Sequence, residues 1–93
     1  MPITIAVPAA LEPYAGGSRL VLVEAACTTL RDALAALAAV RPGLVDRVLT
    51  ERGDIREHVN VFVGEESVRL LGGLSAPVRD GDTIEIIAAV SGG

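Results

Sequence analysis

Between residues 29 and 41 apolar side chains recur at helical spacing, as Leu30, Ala33, Leu34, Leu37 and Ala38, and no other stretch carries that period strongly. Thr29 supplies an N-cap hydroxyl. Asp32, three residues on, can reach back to the cap, and its charge suits a helix N-terminus. Pro42 and Gly43 are expected to end the helix. One helix with one apolar stripe must bury that stripe against something else. The flanking runs are short and rich in Val, Ile and Leu: Ile3 to Val7, Arg19 to Glu24, His58 to Val63, Ser67 to Leu70 and Thr83 to Ile87. The expected class is therefore α+β in the order β-β-α-β-β-β, with the helix across one face of a mixed sheet and the first and last strands parallel in its centre.

The connections are read from their turn residues. Ala9 to Ser18 contains Pro13, Gly16 and Gly17 and is expected to be irregular, with Leu11 and Tyr14 folded back onto the body. Leu44 to Leu49 suits a short helical turn, Thr50 to Glu57 is a charged loop, and Leu71 to Leu74 is a further loop. Gly64-Glu65-Glu66 and Asp80-Gly81-Asp82 are turn signals. In the last strand, alternation puts Ile84, Ile86 and Ala88 on one face and Glu85 and Ile87 on the other. If the first set lies beneath the helix, Ile87 is left on the open face.

Ninety-three residues suit one domain that buries roughly 60 to 65% of its unfolded surface without disulfides or a metal. We expect the folded domain over residues 1–88 and a flexible tail over 89–93. A net charge of −4 disfavours nucleic acid and acidic membranes as partners, because such binders cluster basic residues, whereas the eight here are single arginines spread from Arg19 to Arg79. One cysteine forms no internal disulfide, and one cysteine with one histidine makes no iron-sulfur or zinc set, so no metal and no cofactor is expected on this chain. No secretory signal or long apolar run is visible, and a cytoplasmic location is expected. Cys27, just before the helix cap, reads either as a thiolate activated by the helix dipole or as a small buried apolar residue. Tyr14 and His58 stand at no spacing that would make a catalytic set with it.

After Ala88 the side chains shrink to Ala89-Val90-Ser91-Gly92-Gly93, with no polar cap, charge or helical period to fold them back. A projecting end is expected. Glycines there pack nothing, but without Cβ atoms they can thread a narrow groove in another protein. The dipeptide alone does not separate that reading from a frayed terminus.

Residues beyond the dipeptide carry a family resemblance. The blocks Val59-Asn60-Val61-Phe62-Val63, Val68-Arg69, Gly72-Gly73-Leu74, Asp80-Gly81-Asp82 and Ala88 to Gly93 resemble the bacterial ubiquitin-like sulfur carriers. These include the small subunit of molybdopterin synthase, the thiamine-pathway carrier and the cysteine-synthesis carrier. The likeness spans the chain loosely and its last third closely. The charged stretch Thr50 to Glu57 and the Gly-Gly-Leu element look most like the cysteine-synthesis carriers of high-GC Gram-positive bacteria.

The resemblance implies the β-grasp fold of ubiquitin and a carrier rather than an enzyme. It implies that Gly93 is adenylated by a ubiquitin-activating-like adenylyltransferase/sulfurtransferase using ATP, and is then converted to a thiocarboxylate that donates sulfur to a synthase. The synthase would make cysteine or another sulfur-containing metabolite. Gly92 and Ser91 would thread the tail, and Ile87 and Val90, with Arg69 and Arg79 at the rim, would contact partners. A zinc-dependent tail hydrolase is a further implied partner. Two alternatives stay open: the small subunit of molybdopterin synthase, and a modifier that forms isopeptide bonds with lysines.

Overall fold

The computed structural model describes residues 2–24 and 26–88. The strands are β1 (Ile3–Ala6), β2 (Leu20–Val23), β3 (Val59–Val63), β4 (Glu66–Ser67) and β5 (Thr83–Ala88); the helices are α1 (Leu30–Val40) and α2 (Pro42–Val48). They form one five-stranded sheet in the order β2-β1-β5-β3-β4. β1 and β5 run parallel at its centre, and the remaining pairs are antiparallel. The expected tail, residues 89–93, lies outside the described residues.

Strand alternation and helical period meet in one core. Leu30, Ala33, Leu34 and Leu37 of α1 are buried with Ile3 and Ile5 of β1, Val59 and Val61 of β3, and Ile84 and Ile86 of β5. The cap of α1 is a capping box: Thr29 Oγ1 accepts from the Asp32 N–H at 3.3 Å while Asp32 Oδ2 accepts from the Thr29 N–H at 3.2 Å. Two orphan amides of the first turn are thereby satisfied.

The structure differs from the expected order in three connections. Pro42 does not simply end a helix; it stands at the first position of α2, where its missing N–H is not needed and its φ is already helical. Leu44, Val45 and Val48 of α2 add to the core. The stretch after β1 is an ordered 3₁₀ helix (Ala9–Ala15), with Leu11 and Ala15 buried and the tolerated Pro13 inside. Finally, the strand expected over Ser67 to Leu70 stops at Ser67. Val68 is buried, and the Ser67 hydroxyl accepts from the Arg69 N–H at 3.3 Å, so the chain turns under in a 3₁₀ helix (Val68–Leu70) instead of continuing the ladder. A second such helix covers Gly73–Ser75.

The turn that launches β5 depends on glycine. Gly81 has φ 83°, in the left-handed region that costs a residue with a Cβ about 1 kcal/mol or more. Around it Asp82 Oδ2 accepts from the Arg79 N–H at 2.9 Å and the Asp82 N–H donates to the Arg79 carbonyl at 3.0 Å.

Candidate docking face and tail root

The candidate docking residue Ile87 stands at the described end of β5. On one side β5 pairs with β3 to the end, Ile87 opposite Asn60 and Ala88 opposite Val59. On the other side its ladder with β1 stops earlier, at Ala6 opposite Glu85. Pro8 explains the difference. It has no N–H to donate, its ψ of 161° leads into the 3₁₀ helix that follows, and the preceding Val7 N–H is already given to the Arg19 carbonyl at 2.8 Å. The result is a notch of about 250 Å³ beside the strand end, lined by Ala6, Val7, Pro8, Arg19, Glu85, Ile86 and Ile87. Arg19 leans toward Glu12, Nε to Oε1 3.8 Å, at its rim.

Ile87 is 41% exposed on the face away from α1, whereas Ile84 and Ile86 are buried. Its cross-strand neighbour Asn60 and nearby Phe62 are half-buried on the same side, so an apolar side chain stands one residue from the last described position. Sequence alternation identifies Ile87 but not the notch. The missing signal was Pro8, whose consequence depends on which strand lies beside it.

The other expected site residues fall in different places. Arg69 braces the strand opposite the tail root: its Nη2 donates to the Glu57 carbonyl at 3.3 Å and to the Val59 carbonyl at 3.1 Å, and Val59 is the residue paired with Ala88. Arg79 is exposed in the turn before β5, at the opposite end of that strand from the tail, so the structure does not bring it to Ile87. Ser91, Gly92, Gly93 and Val90 lie outside the described residues.

Cys27, Tyr14 and His58 sit on three separate segments. Burial pushes the Cys27 thiol up, and the Asp32 and Asp80 carboxylates push it further in the same direction, which opposes a thiolate and suits a small apolar residue. The Tyr14 ring carries the Arg47 guanidinium 4.5 Å above its centroid. Among the described residues no group of His, Cys, Asp and Glu is arranged to hold a metal, and no helix is long and apolar enough to cross a membrane.

Comparison with known proteins fits this geometry. The profile of the ThiS family matches residues 5–93. The sulfur carrier protein CysO of Mycobacterium tuberculosis is 35% identical over 95 residues, covering all of both chains. A CysO chain in the Amycolatopsis orientalis BexX/CysO complex superposes with a TM-score of 0.86 at 35% identity, over 98% of this chain and 99% of that one. Small archaeal modifier protein 1 of Haloferax volcanii matches at a TM-score of 0.83 and 32% identity, over the whole of both chains. With a helix-covered mixed sheet, parallel central strands and a match that runs from β1 through the final glycine, this chain belongs to the ThiS family of ubiquitin-like, β-grasp sulfur carriers.

Proposed function

We propose that this protein carries sulfur as a thiocarboxylate on Gly93, after adenylation by a ubiquitin-activating-like enzyme, and delivers it to a synthase that makes cysteine or another sulfur-containing metabolite. The observation that carries the reading is the one-sided end of β5. A central strand, fixed on both flanks through Glu85, loses its β1 partner and runs into Ala-Val-Ser-Gly-Gly beside an exposed Ile87. A strand end held by its ladder, followed in sequence by residues with small side chains or none, is what a partner's narrow channel requires.

The chemistry follows from the carboxylate. A C-terminal carboxyl has a pKa near 3.3 to 3.7 and is a poor electrophile at neutral pH. Attack of its oxygen on the α-phosphorus of ATP expels pyrophosphate and leaves a mixed anhydride with AMP. Hydrosulfide, or the sulfur of a protein-bound donor with a thiol to release it, then adds to the carbonyl carbon. AMP departs with the bonding pair, and the acyl carbon keeps sulfur where it had oxygen. Gly93 supplies the reacting group, Gly92 and Ser91 supply access, and the side chains that do catalysis belong to the partner. Ile87, with Val90, anchors the carrier on the activating enzyme, while a zinc-dependent hydrolase would return the tail to its carboxylate after an adduct has formed.

The decisive experiment incubates the full chain with its activating enzyme, ATP and sulfide and follows intact mass. Replacement of one oxygen by sulfur, mapped to the C-terminal peptide, is the expected product. Gly92→Ala should keep the fold and slow activation on the order of 100-fold, because a misplacement of about 1 Å costs that much; a rate equal to wild type would remove the threading argument.

The likeness to small archaeal modifier protein 1 favours a second reading, conjugation of the same tail to lysine amines. Covalent adducts on target lysines, found by tryptic mapping, would decide for it. Both readings share the adenylate and part only at the nucleophile.

A further inference from the structure

β3 holds the last described residues of β5, and its own two edges are satisfied in different ways. The Gly64 N–H donates to the Thr83 carbonyl at 2.9 Å, and the same register continues with Phe62 opposite Glu85 and Asn60 opposite Ile87. Alternate pairs of an antiparallel ladder exchange both their bonds, so Gly64, Phe62 and Asn60 turn their backbone toward β5. Val61 and Val59 turn theirs to the other side. There β4 stands beside Val63 and Phe62 and stops, because the chain turns under at Val68. Among the described residues no strand lies next to Val59 on that side.

A side chain takes the strand's place. The Ser67 hydroxyl accepts from the Arg69 N–H and Val68 is buried, so the turn from which the Arg69 side chain starts is fixed. Nη2 of its guanidinium carries two hydrogens and donates to the Val59 carbonyl at 3.1 Å and to the Glu57 carbonyl at 3.3 Å. The Val59 N–H goes to the Arg56 carbonyl at 3.0 Å. The peptide joining Val59 to Asn60 is therefore held at both ends, its carbonyl by Arg69 and its N–H by the carbonyl of Ile87. That peptide is one rigid plane, so releasing its carbonyl loosens the end that bonds Ile87. A charged donor on the carbonyl also polarises the N–H and strengthens its bond.

We propose that Arg69 is a positioning residue for the reaction at the tail: through the Val59–Asn60 peptide it keeps the Asn60–Ile87 pair closed and so fixes where the chain leaves the sheet. The inference rests on the reading of Gly93 as the reacting residue. A partner that grips Ile87 and threads the residues after it needs a fixed start for the thread. One residue of extended chain spans about 3.3 Å, whereas a misplacement of about 1 Å at a reacting group costs on the order of 100-fold in rate. Opening a single strand pair is thus enough to matter. A contact with the partner would act otherwise, by weakening docking while leaving the free carrier unchanged.

The test compares wild type with Arg69→Met, which keeps the apolar stem and removes the donors, and with Thr29→Ala as a destabilised control far from the tail in the chain. Circular dichroism checks that each is folded. In the free carrier, amide hydrogen exchange at Asn60 and Ile87 should speed up about 10-fold or more in Arg69→Met, the scale expected for losing bonds from a charged donor, and not in Thr29→Ala beyond its global loss of stability. With activating enzyme, ATP and sulfide, kcat for Arg69→Met should fall about 10-fold while KM for the carrier changes less than about threefold. Arg69→Lys, a charged donor without the planar fork, should fall between the two in both measurements. Unchanged exchange at Ile87 with a raised, salt-sensitive KM would make Arg69 a partner contact and overturn the proposal. Faster exchange with a wild-type kcat would overturn it too, since the brace would then be structural alone. A wild-type carrier that gives no thiocarboxylate would defeat the reading of the tail and this inference with it, whereas either of the two preceding results, obtained with an active wild type, defeats the inference alone.

Discussion

Ile86 and Ile87 are adjacent in the chain and identical in chemistry, yet one is 1% exposed and the other 41%. Strand pleating turns them to opposite faces, and α1 covers only one of those faces. The difference teaches that β5 has two separable tasks. Its buried face holds the domain together, and its open face, with the notch left by Pro8, is available for contact.

The largest effect should come from breaking that contrast directly. Ile86→Ala removes a fully buried side chain under α1 and should cost about 2 to 5 kcal/mol in urea unfolding. Ile87→Ala should change stability by no more than about 0.5 kcal/mol. Ile87→Asp separates the tasks further: the fold should survive while the adenylation rate at limiting carrier falls about 10-fold or more, as expected for loss of an apolar anchor. If Ile87→Asp unfolds the domain, the open face is part of the core and the assignment of tasks to faces fails.

How the sequence conveyed this contrast depends on the range of the interaction. The α1 stripe and the capping box of Thr29 and Asp32 were legible because they rest on neighbours three and four residues apart. The exposure of Ile87 was legible because alternation is strict once one face is known to be buried. By contrast, the notch beside β5 required knowing that Pro8 lies across from residues nearly eighty positions away in the chain. The shortness of β4 was hidden for a related reason. Val68 suits a strand by composition, and only the space beneath the sheet decides that it turns in. Arg79 looked close to the tail because it precedes the last strand, but a strand separates its two ends. The threading residues of the tail rest on the sequence and on the family.

A smaller effect sharpens the comparison from the helix side. α1 can cover the buried face only if its N-terminus is held, and besides the cap it is tied there by Leu30 N–H to the Ala76 carbonyl at 2.9 Å and by Val78 N–H to the Thr28 carbonyl at 3.0 Å. Thr29→Ala removes the hydroxyl that accepts from the Asp32 amide and should cost about 1 kcal/mol. The same variant should leave adenylation unchanged, since Thr29 belongs to the structural face. A matching loss of activation at temperatures where the variant is fully folded would show that the two faces are coupled.

The smallest expected effect is a pH dependence carried by the partner of that cap. Asp32 Oδ2 accepts from the Thr28 N–H and the Thr28 hydroxyl, each at 3.1 Å, and from the Thr29 N–H at 3.2 Å. These bonds favour the charged form, and the backbone bond from Thr28 contributes most to holding the carboxyl below its usual range. A group whose pKa is lowered in the folded state binds its proton more readily when unfolded. Its stabilisation is therefore complete above the unfolded pKa, near pH 4, and is lost as pH falls through the lower folded value. Asp32→Asn keeps the backbone N–H that bonds Thr29 but cannot titrate. Its Tm should lie slightly below wild type at pH 7, and the gap should narrow as pH falls from roughly 4 toward 2. Calorimetric scans at several pH values across that window test the sign: a gap that stays constant or widens in acid would mean that Asp32 acts by packing or by uncharged hydrogen bonds, and that the charge at the N-terminus of α1 contributes nothing to covering the buried face.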